Sequence, residues 1–288
     1  MITIRAAVQG DKNEILSFCT HTFTWGDYIE QVWDLWIQDS GGKMLVAEAD
    51  GRKAGLSHVS QCPNSASIWL EGVRVHPMFR RLKIATALIE EMQRYGIGHG
   101  ATEALAIVSQ ENRSSQQMME RSGFSAVSEW SYYSTDDRMA KRESGARIAS
   151  TGDLDAVLKY LEASRVYAKS AKKYVNAWRW YALDRPALAG FLGAGRVLVA
   201  GEPLAGIAIV NTKGYWNRKN ILQVVYLDSE EKHALQGLLA HVMNLYVDGK
   251  YERLQILCPH DGQAASVIND FQIKESERFL LYSKVFSG

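Results

Sequence analysis

The chain has 288 residues, 47% of them hydrophobic and 23% charged, so it carries enough apolar material for one large or two medium cores and is not a disordered segment. A formal net charge of +1 argues against nucleic acid or an anionic membrane as the main partner, and no apolar run reaches membrane-spanning length. The three cysteines, Cys19, Cys62 and Cys258, stand far apart, with neither metal-ligand spacing nor the even count of a disulfide framework. With an N-terminus that lacks a signal-peptide layout, this sets the expectation of a reducing cytoplasm and no metal.

Ile2 to Ala6 has the pattern of a strand, and Asp11 is placed to cap a helix through Ile15, Leu16 and Cys19. In the segment from Thr24 to Trp36, residues Ile29, Val32, Trp33 and Trp36 form a helical stripe suited to a core. Trp25 and Asp27, at the start of that helix, have the chemistry to stack on and attract a cationic acceptor; Asp27 also suits a helix cap. Met44 to Ala47, a turn at Asp50-Gly51, and Ala54 to Leu56 make a hairpin. The next stretch, Trp69 to Thr86, organises the rest. Leu70, Val73 and Val75 are strand formers, Pro77 ends the ladder, and Arg80 and Arg81 follow. Ile84, Ala85, Leu88, Ile89, Met92 and Tyr95 then share one helix face, closed by Gly96, Gly98 and Gly100. A strand, a basic turn and a helix N-terminus make an anion site, because the first helical N–H groups lack intrahelical partners and the helix dipole adds about half a positive charge. The same residues also fit a basic surface turn after a buried strand. Alternation sets Trp69, Glu71 and Val73 on one face, which makes Glu71 the best general-base candidate. The plainer reading is a surface carboxylate paired with Arg74 or a neighbouring strand.

The chain repeats itself. Arg5 to Phe18 matches Arg147 to Tyr160, with arginine, alanine, Gly-Asp and the apolar ladder in register. The hairpin at 44–56 matches Val197 to Ile207, and Ala87-Leu88-Ile89 matches Gly237-Leu238-Leu239. The polar link Lys141 to Gly145 then separates two halves, 1–140 and 146–288. In the second half Glu230 and Glu231 stand where Arg80 and Arg81 stand in the first. Carboxylates facing an anion repel it, so this half is expected to lack an anion site and to serve as a lid, a pocket wall or a pseudo-dimer partner. Ser164 to Leu183 is predicted as an amphipathic helix with basic and aromatic residues, which raises a weak nucleic-acid reading. His58, His76 and His99 show no partners at ligand or triad spacing.

The run from Val75 to Ala85 resembles the acyl-CoA pyrophosphate loop of the GNAT N-acetyltransferase superfamily, Arg/Gln-x-x-Gly-x-Gly/Ala, with Lys83 in place of the central glycine. Leu70-Glu71-Gly72 is similar to the strand of aminoglycoside-type acetyltransferases. Asn112 to Phe124 resembles the family's later helix, with Asn112 at the cofactor-proximal asparagine and Met119 where a proton-donating tyrosine often stands. The resemblance implies an α/β fold with a mixed sheet in two tandem GNAT-like domains, the second degenerate. It implies acetyl-CoA as cosubstrate, its pantetheine along Val73, Arg74 and Val75, and its pyrophosphate on Arg80, Arg81, Leu82, Lys83, Ile84, Ala85 and Thr86. Tyr133 and Tyr132 are weak stand-ins for the missing tyrosine, since aromatics packed in the sheet are the much commoner reading of both. A lysine at position 83 costs roughly 1–2 kcal/mol if its φ is positive. The expected activity is direct transfer of an acetyl group to a small-molecule or protein amine by a monomer or homodimer. The rival is a non-catalytic acyl-CoA-sensing or protein-interaction module.

Overall fold

In the computed structural model, which describes every residue except 21, 23–25, 64, 138, 216–218 and 287–288, the expected first strand forms over Ile2–Ala6 as β1. Helix α1 (Lys12–Cys19) follows, then α2 (Ile29–Ile37), whose Ile29, Val32, Trp33 and Trp36 are buried as the stripe requires. Strands β2 (Gly42–Ala49), β3 (Arg52–Gln61) and β4 (Ser67–Val75) form an antiparallel meander. Helix α3 (Ile84–Gly98), strand β5 (Glu103–Ser109) and helix α4 (Arg113–Arg121) complete the elements of the first half up to residue 124. The chain divides into two compact units, the first made of Met1–Val108, Asn112–Ser125 and Tyr282–Gly288. Its sheet runs β1-β2-β3-β4-β5, with α3 against one face at Gly55 and Ile68 and α2 against the other at Gly72.

The second unit comprises Ser109–Glu111 and Ala126–Leu281, so the division falls elsewhere than at the link 141–145. Its elements are β6 (Ser125–Thr135), β7 (Ala146–Ile148), α5 (Leu154–Ala163), α6 (Arg165–Lys169), β8 (Lys173–Asn176), β9 (Arg179–Ala182) and α7 (Arg185–Gly193). After them come β10 (Val197–Ala200), β11 (Gly206–Asn211), β12 (Ile221–Ser229), α8 (Lys232–Asp248), β13 (Arg253–Pro259), α9 (Gly262–Asp270) and β14 (Glu275–Val285), of which the residues from Tyr282 on belong to the first unit. The sheet order within this unit is β6-β13-β12-β11-β10-β7, and α8 supplies much of an apolar core with Leu222, Val224, Leu254 and Ile256.

The repeat is physical as well as textual. Arg5 grips Asp11 with two hydrogen bonds of 2.7 Å, and the Val8 N–H donates to the same carboxylate at 2.9 Å. Arg147 grips Asp153 at 3.0 and 2.7 Å, and the Ser150 N–H donates at 2.7 Å. Asp11 therefore stands at the entry of α1 but turns its carboxylate back to Arg5 rather than onto the helix N–H groups. The Arg5 hydrogen bond outweighs burial and holds the Asp11 carboxyl at about 2.

One predicted element is different. The helix expected over 164–183 is a short helix, α6, followed by the hairpin β8–β9. Ala171, Lys172, Ala177 and Trp178 have φ of +54°, +55°, +49° and +65°, which no α-helix accommodates. The aromatic spacing belongs instead to two short strands, and the nucleic-acid reading loses the helix on which it rested. All three cysteines are buried free thiols, and burial pushes Cys19 up to about 12.

Candidate active site

Strand β4 places the site. Its parallel pairing with β5 covers only Ser67–Trp69 against Glu103–Leu105. Among the described residues the two strands are not bonded beyond that point, so Val73, Arg74 and Val75 lie on a stretch of β4 that has left β5. Opposite β3 the register slips between Leu56 and His58, so Ser57 faces both Gly72 and Val73. Gly72 takes this bulge with φ +69°, and a Cβ there would lie 2.5 Å from the Trp36 ring. The bulge breaks the expected alternation. Trp69 and Glu71 share a face, but the direction of Gly72 toward Trp36, not Val73, continues it.

The turn after β4 spans residues 76–83 and ends at α3. Arg80, Arg81, Leu82 and Lys83 are all exposed. Arg81 has φ +67°, and Lys83, at the N-cap of α3, has φ +60° and ψ +18°. Left-handed residues spaced this way turn neighbouring N–H groups into one concavity that favours an anion. No side chain caps α3. The N–H groups of Ile84, Ala85 and Thr86, the first of the helix, are thereby left to whatever binds there. Lys83 thus sits in the conformation glycine would favour, at the cost expected from its side chain. A groove of about 470 Å³ beside the turn is lined by Ile2, Ile4, Leu82, Lys83, Ala87 and Arg94, among others.

On the α2 face of β4, Glu71 is held at both oxygens. The His58 Nδ1 lies 2.9 Å from Oε1, and the Trp69 Nε1–H donates to Oε2 at 3.2 Å. His58 and Glu71 are direct partners across β3 and β4. His58 is completely buried and stacks on Trp36 with centroids 4.5 Å apart and planes 4° apart. Its Nε2 lies 3.3 Å from Asp39 Oδ2, off the line of a straight hydrogen bond. Burial raises the Asp39 carboxyl, but the nearby His58 ring and hydrogen bonds from Ser60 and the Gly41 N–H outweigh it and bring it to about 2. The expectation that His58 lacks partners is therefore corrected. Strand register, invisible as sequence spacing, brings it to Glu71.

Other expected site residues are placed as follows. Asp27 is not free to clamp a cation. It forms a bidentate pair with Arg74 at 2.7 and 3.0 Å, accepts the Ile29 N–H, and is nearly buried. The Arg74 guanidinium also lies over the Tyr28 ring, so its side chain is committed to this pair. Trp25 lies outside the described residues. Asn112 caps α4, accepting the Ser115 N–H at 3.1 Å. Met119 is buried. Tyr133 belongs to the second unit, 1% exposed in its apolar core, where burial raises its hydroxyl. Buried there, it is a packing residue, which corrects its assignment as the proton donor.

Among the described residues the second unit offers no equivalent turn. Only Glu230 and Glu231 separate β12 from α8. Glu230 is taken by Arg165 at 3.1 Å, and the Ser229 hydroxyl accepts the Glu231 N–H at 3.1 Å. Behind them Asp228 is buried and accepts hydrogen bonds from Ser164 at 2.7 Å, Tyr226 at 2.8 Å and Tyr160 at 3.0 Å. Burial raises its carboxyl despite these donors.

The sequence model of the acetyltransferase (GNAT) family matches residues 12–124. The aminoglycoside N(6')-acetyltransferase type 1 of Salmonella typhimurium (strain LT2) is 30% identical over 134 residues, covering 40% of this chain and 92% of that protein. Among solved structures, a GCN5-related N-acetyltransferase from Sphaerobacter thermophilus superposes with a TM-score of 0.65 at 15% identity, over 99% of this chain and 95% of that one. A tandem GNAT protein from the clavulanic acid biosynthesis pathway superposes with a TM-score of 0.54 at 14% identity, over 100% and 99% of the two chains.

Proposed function

We propose, for a chain that belongs to the GNAT acetyltransferase family and is an N-acetyltransferase, that its first unit binds acetyl-CoA and transfers the acetyl group to a primary amine of a small cationic molecule. The tandem fold has one active half. The observation that carries this is the uncapped start of α3 behind two left-handed residues, beside a stretch of β4 that has parted from β5. The diphosphate rests on the N–H groups of residues 81–86 with Arg80 and Arg81 as counter-charges. The pantetheine follows the free edge of β4 at Val73 to Val75, past Asn112 at the start of α4. The nucleotide end lies in the groove by Ile4, Lys83 and Arg94, where apolar groups, the Lys83 cation and an Arg94–Glu91 ion pair are at hand.

The chemistry is direct attack in a ternary complex. The amine must be neutral when it reaches the thioester, and Glu71 is the base that takes its proton. No hydroxyl stands at Met119, so the thiolate leaves unassisted, as its ordinary thiol pKa of about 8.5 allows. The acceptor class follows from the aminoglycoside specificity in the name of the Salmonella relative. The carboxylates of Glu71 and Asp39 on the α2 face suit a polycation, whereas the closed Asp27–Arg74 pair adds none.

Calorimetry with acetyl-CoA, paired with a thiol-release assay over a panel of aminoglycosides and simple diamines, tests the proposal. The expected result is one binding site per chain and thiol release that depends on the added amine. No binding heat, or release indifferent to the amine, would refute it.

A further inference from the structure

We propose that the rings of Trp178, Tyr132 and Phe279, all in the second unit, form a binding site for the quaternary ammonium group of a small molecule. The Trp178 ring stands edge-on to Tyr132, with centroids 5.0 Å apart and planes at 64°, and to Phe279, at 5.6 Å and 78°. Rings set at steep angles form the walls of an open box, and their electron-rich faces attract a weakly hydrated cation. All three residues are half-exposed, so a ligand can reach them from solvent.

Two features set this cluster apart from ordinary packing. The first is the position of Trp178. Asn176 and Arg179 pair across β8 and β9, so Ala177 and Trp178 alone make the turn, with φ of +49° and +65°. Such turns favour asparagine and glycine, because a Cβ is strained at positive φ. The largest side chain therefore stands where the backbone favours the smallest, and its ring contacts there are with Tyr132 and Phe279. The second feature is charge. Among the described residues no lysine or arginine lies over any of the three rings, although such a contact forms elsewhere in this unit, at Arg142 over Phe271. Glu277 stands two residues before Phe279 in β14, on the same side of that strand. It accepts a hydrogen bond from Ser109 and has Glu111 near it, and among the described residues no cation is paired with it. Arg278, between Glu277 and Phe279, is taken by Glu275 at 2.9 Å. The box is also held in place. The Tyr132 hydroxyl accepts the Gln255 amide N–H at 2.8 Å, and the Gln255 carbonyl oxygen accepts from Tyr215 at 3.0 Å and Gln223 at 3.1 Å.

Preorganised rings beside an unpaired carboxylate suit a nitrogen that carries charge without N–H groups, because the rings offer attraction to charge rather than hydrogen bonds. A quaternary nitrogen has no lone pair and cannot take an acetyl group. The site therefore anchors a ligand without reacting with it, and it stands independently of the acetyl-transfer reading.

Titration of the full chain with choline, and with its uncharged isostere 3,3-dimethyl-1-butanol, tests this by ligand-observed NMR at constant ionic strength and without acetyl-CoA. Choline is expected to bind at least about tenfold more tightly than the isostere, the scale of a cation–π contact shared among several rings. Trp178→Gly removes the ring and relieves the left-handed backbone, so the chain is expected to keep its fold while choline affinity falls at least about tenfold. Glu277→Gln is expected to weaken choline by about twofold to threefold, an effect that fades as salt is raised. Absence of choline binding, equal affinity for the two probes, or an unchanged choline affinity in Trp178→Gly overturns the proposal. Should Trp178→Gly unfold, Phe279→Leu takes its place, with a loss of choline affinity expected and an unchanged affinity overturning the proposal.

Discussion

The turns after β4 and after β12 stand at matching places in the repeat and differ in every feature that matters to an anion. The first has eight residues, 76–83, two of them left-handed, three cations and an uncapped helix. The second has two residues, both glutamates, with one carboxylate spent on Arg165 and a buried Asp228 behind them. Yet both retain the Arg–Asp clasp near their first strands and the hairpin that follows. On the proposed reading, what maintains the fold and what binds the ligand reside in separable residues, and only the former recurs in both halves.

Reversing charge at the first turn is the strongest way to break this comparison. Arg80→Glu with Arg81→Glu is expected to weaken acetyl-CoA binding by at least about a hundredfold, or about 2.7 kcal/mol, by calorimetry. The matching pair Glu230→Arg and Glu231→Arg is expected to leave one site per chain, because charge without the eight-residue turn builds no concavity. Two sites in that variant would show that repulsion alone silenced the second half.

Next in size is the bulge. Gly72→Ala meets both a positive φ and the Trp36 ring, so a loss of about 2–4 kcal/mol is expected in denaturant unfolding. In the second unit the corresponding slip in β12 falls at Val225, which has no positive φ, so Val225→Ala should lose only the smaller cost of a buried methyl pair. Equal costs would mean that the two bulges bear on the fold alike.

Lys83→Gly sharpens the comparison at the turn itself. Relief of the left-handed lysine should raise stability by up to about 1 kcal/mol. Acetyl-CoA affinity should change by less than about threefold if backbone N–H groups carry the binding. A tenfold loss would assign the contact to the ammonium instead.

The smallest effect concerns the clasps. Asp11 is depressed to about 2, so its stabilisation is present above the ordinary carboxyl pKa near 3.8 and is lost as pH falls toward 2. Asp11→Asn should cost about 1–2 kcal/mol at pH 7 and almost nothing at pH 2. Asp153 is also depressed, but Arg147 is more than half exposed, so solvent screening should keep Asp153→Asn below about 1 kcal/mol. The contrast is measurable in urea melts at the two pH values.

Much of this was legible in the sequence for local reasons. The stripe of α2 was visible as helical periodicity, the hairpins as turn residues between apolar runs, and the basic turn as cations between a strand and a helix. The duplication was visible because Arg5 and Asp11 recur as Arg147 and Asp153 at one spacing. The segment 164–183 misled because Tyr174, Tyr181 and Trp178 fall at helical intervals, while its chain reversal uses Ala177 and Trp178 with positive φ instead of glycine or asparagine. The His58–Glu71 contact was hidden because cross-strand partners depend on register, and the slip at Gly72 shifts that register by one. Tyr133 looked available because a strand pattern does not say which unit a strand joins.

The buried cysteines have a practical consequence. With Cys19, Cys62 and Cys258 all sealed from solvent, a chromogenic disulfide reagent added to the folded enzyme should meet essentially no thiol but the one liberated from acetyl-CoA. Turnover can then be followed continuously in the spectrophotometer with a flat baseline, and any slow colour in the blank becomes a gauge of unfolding in the variants above.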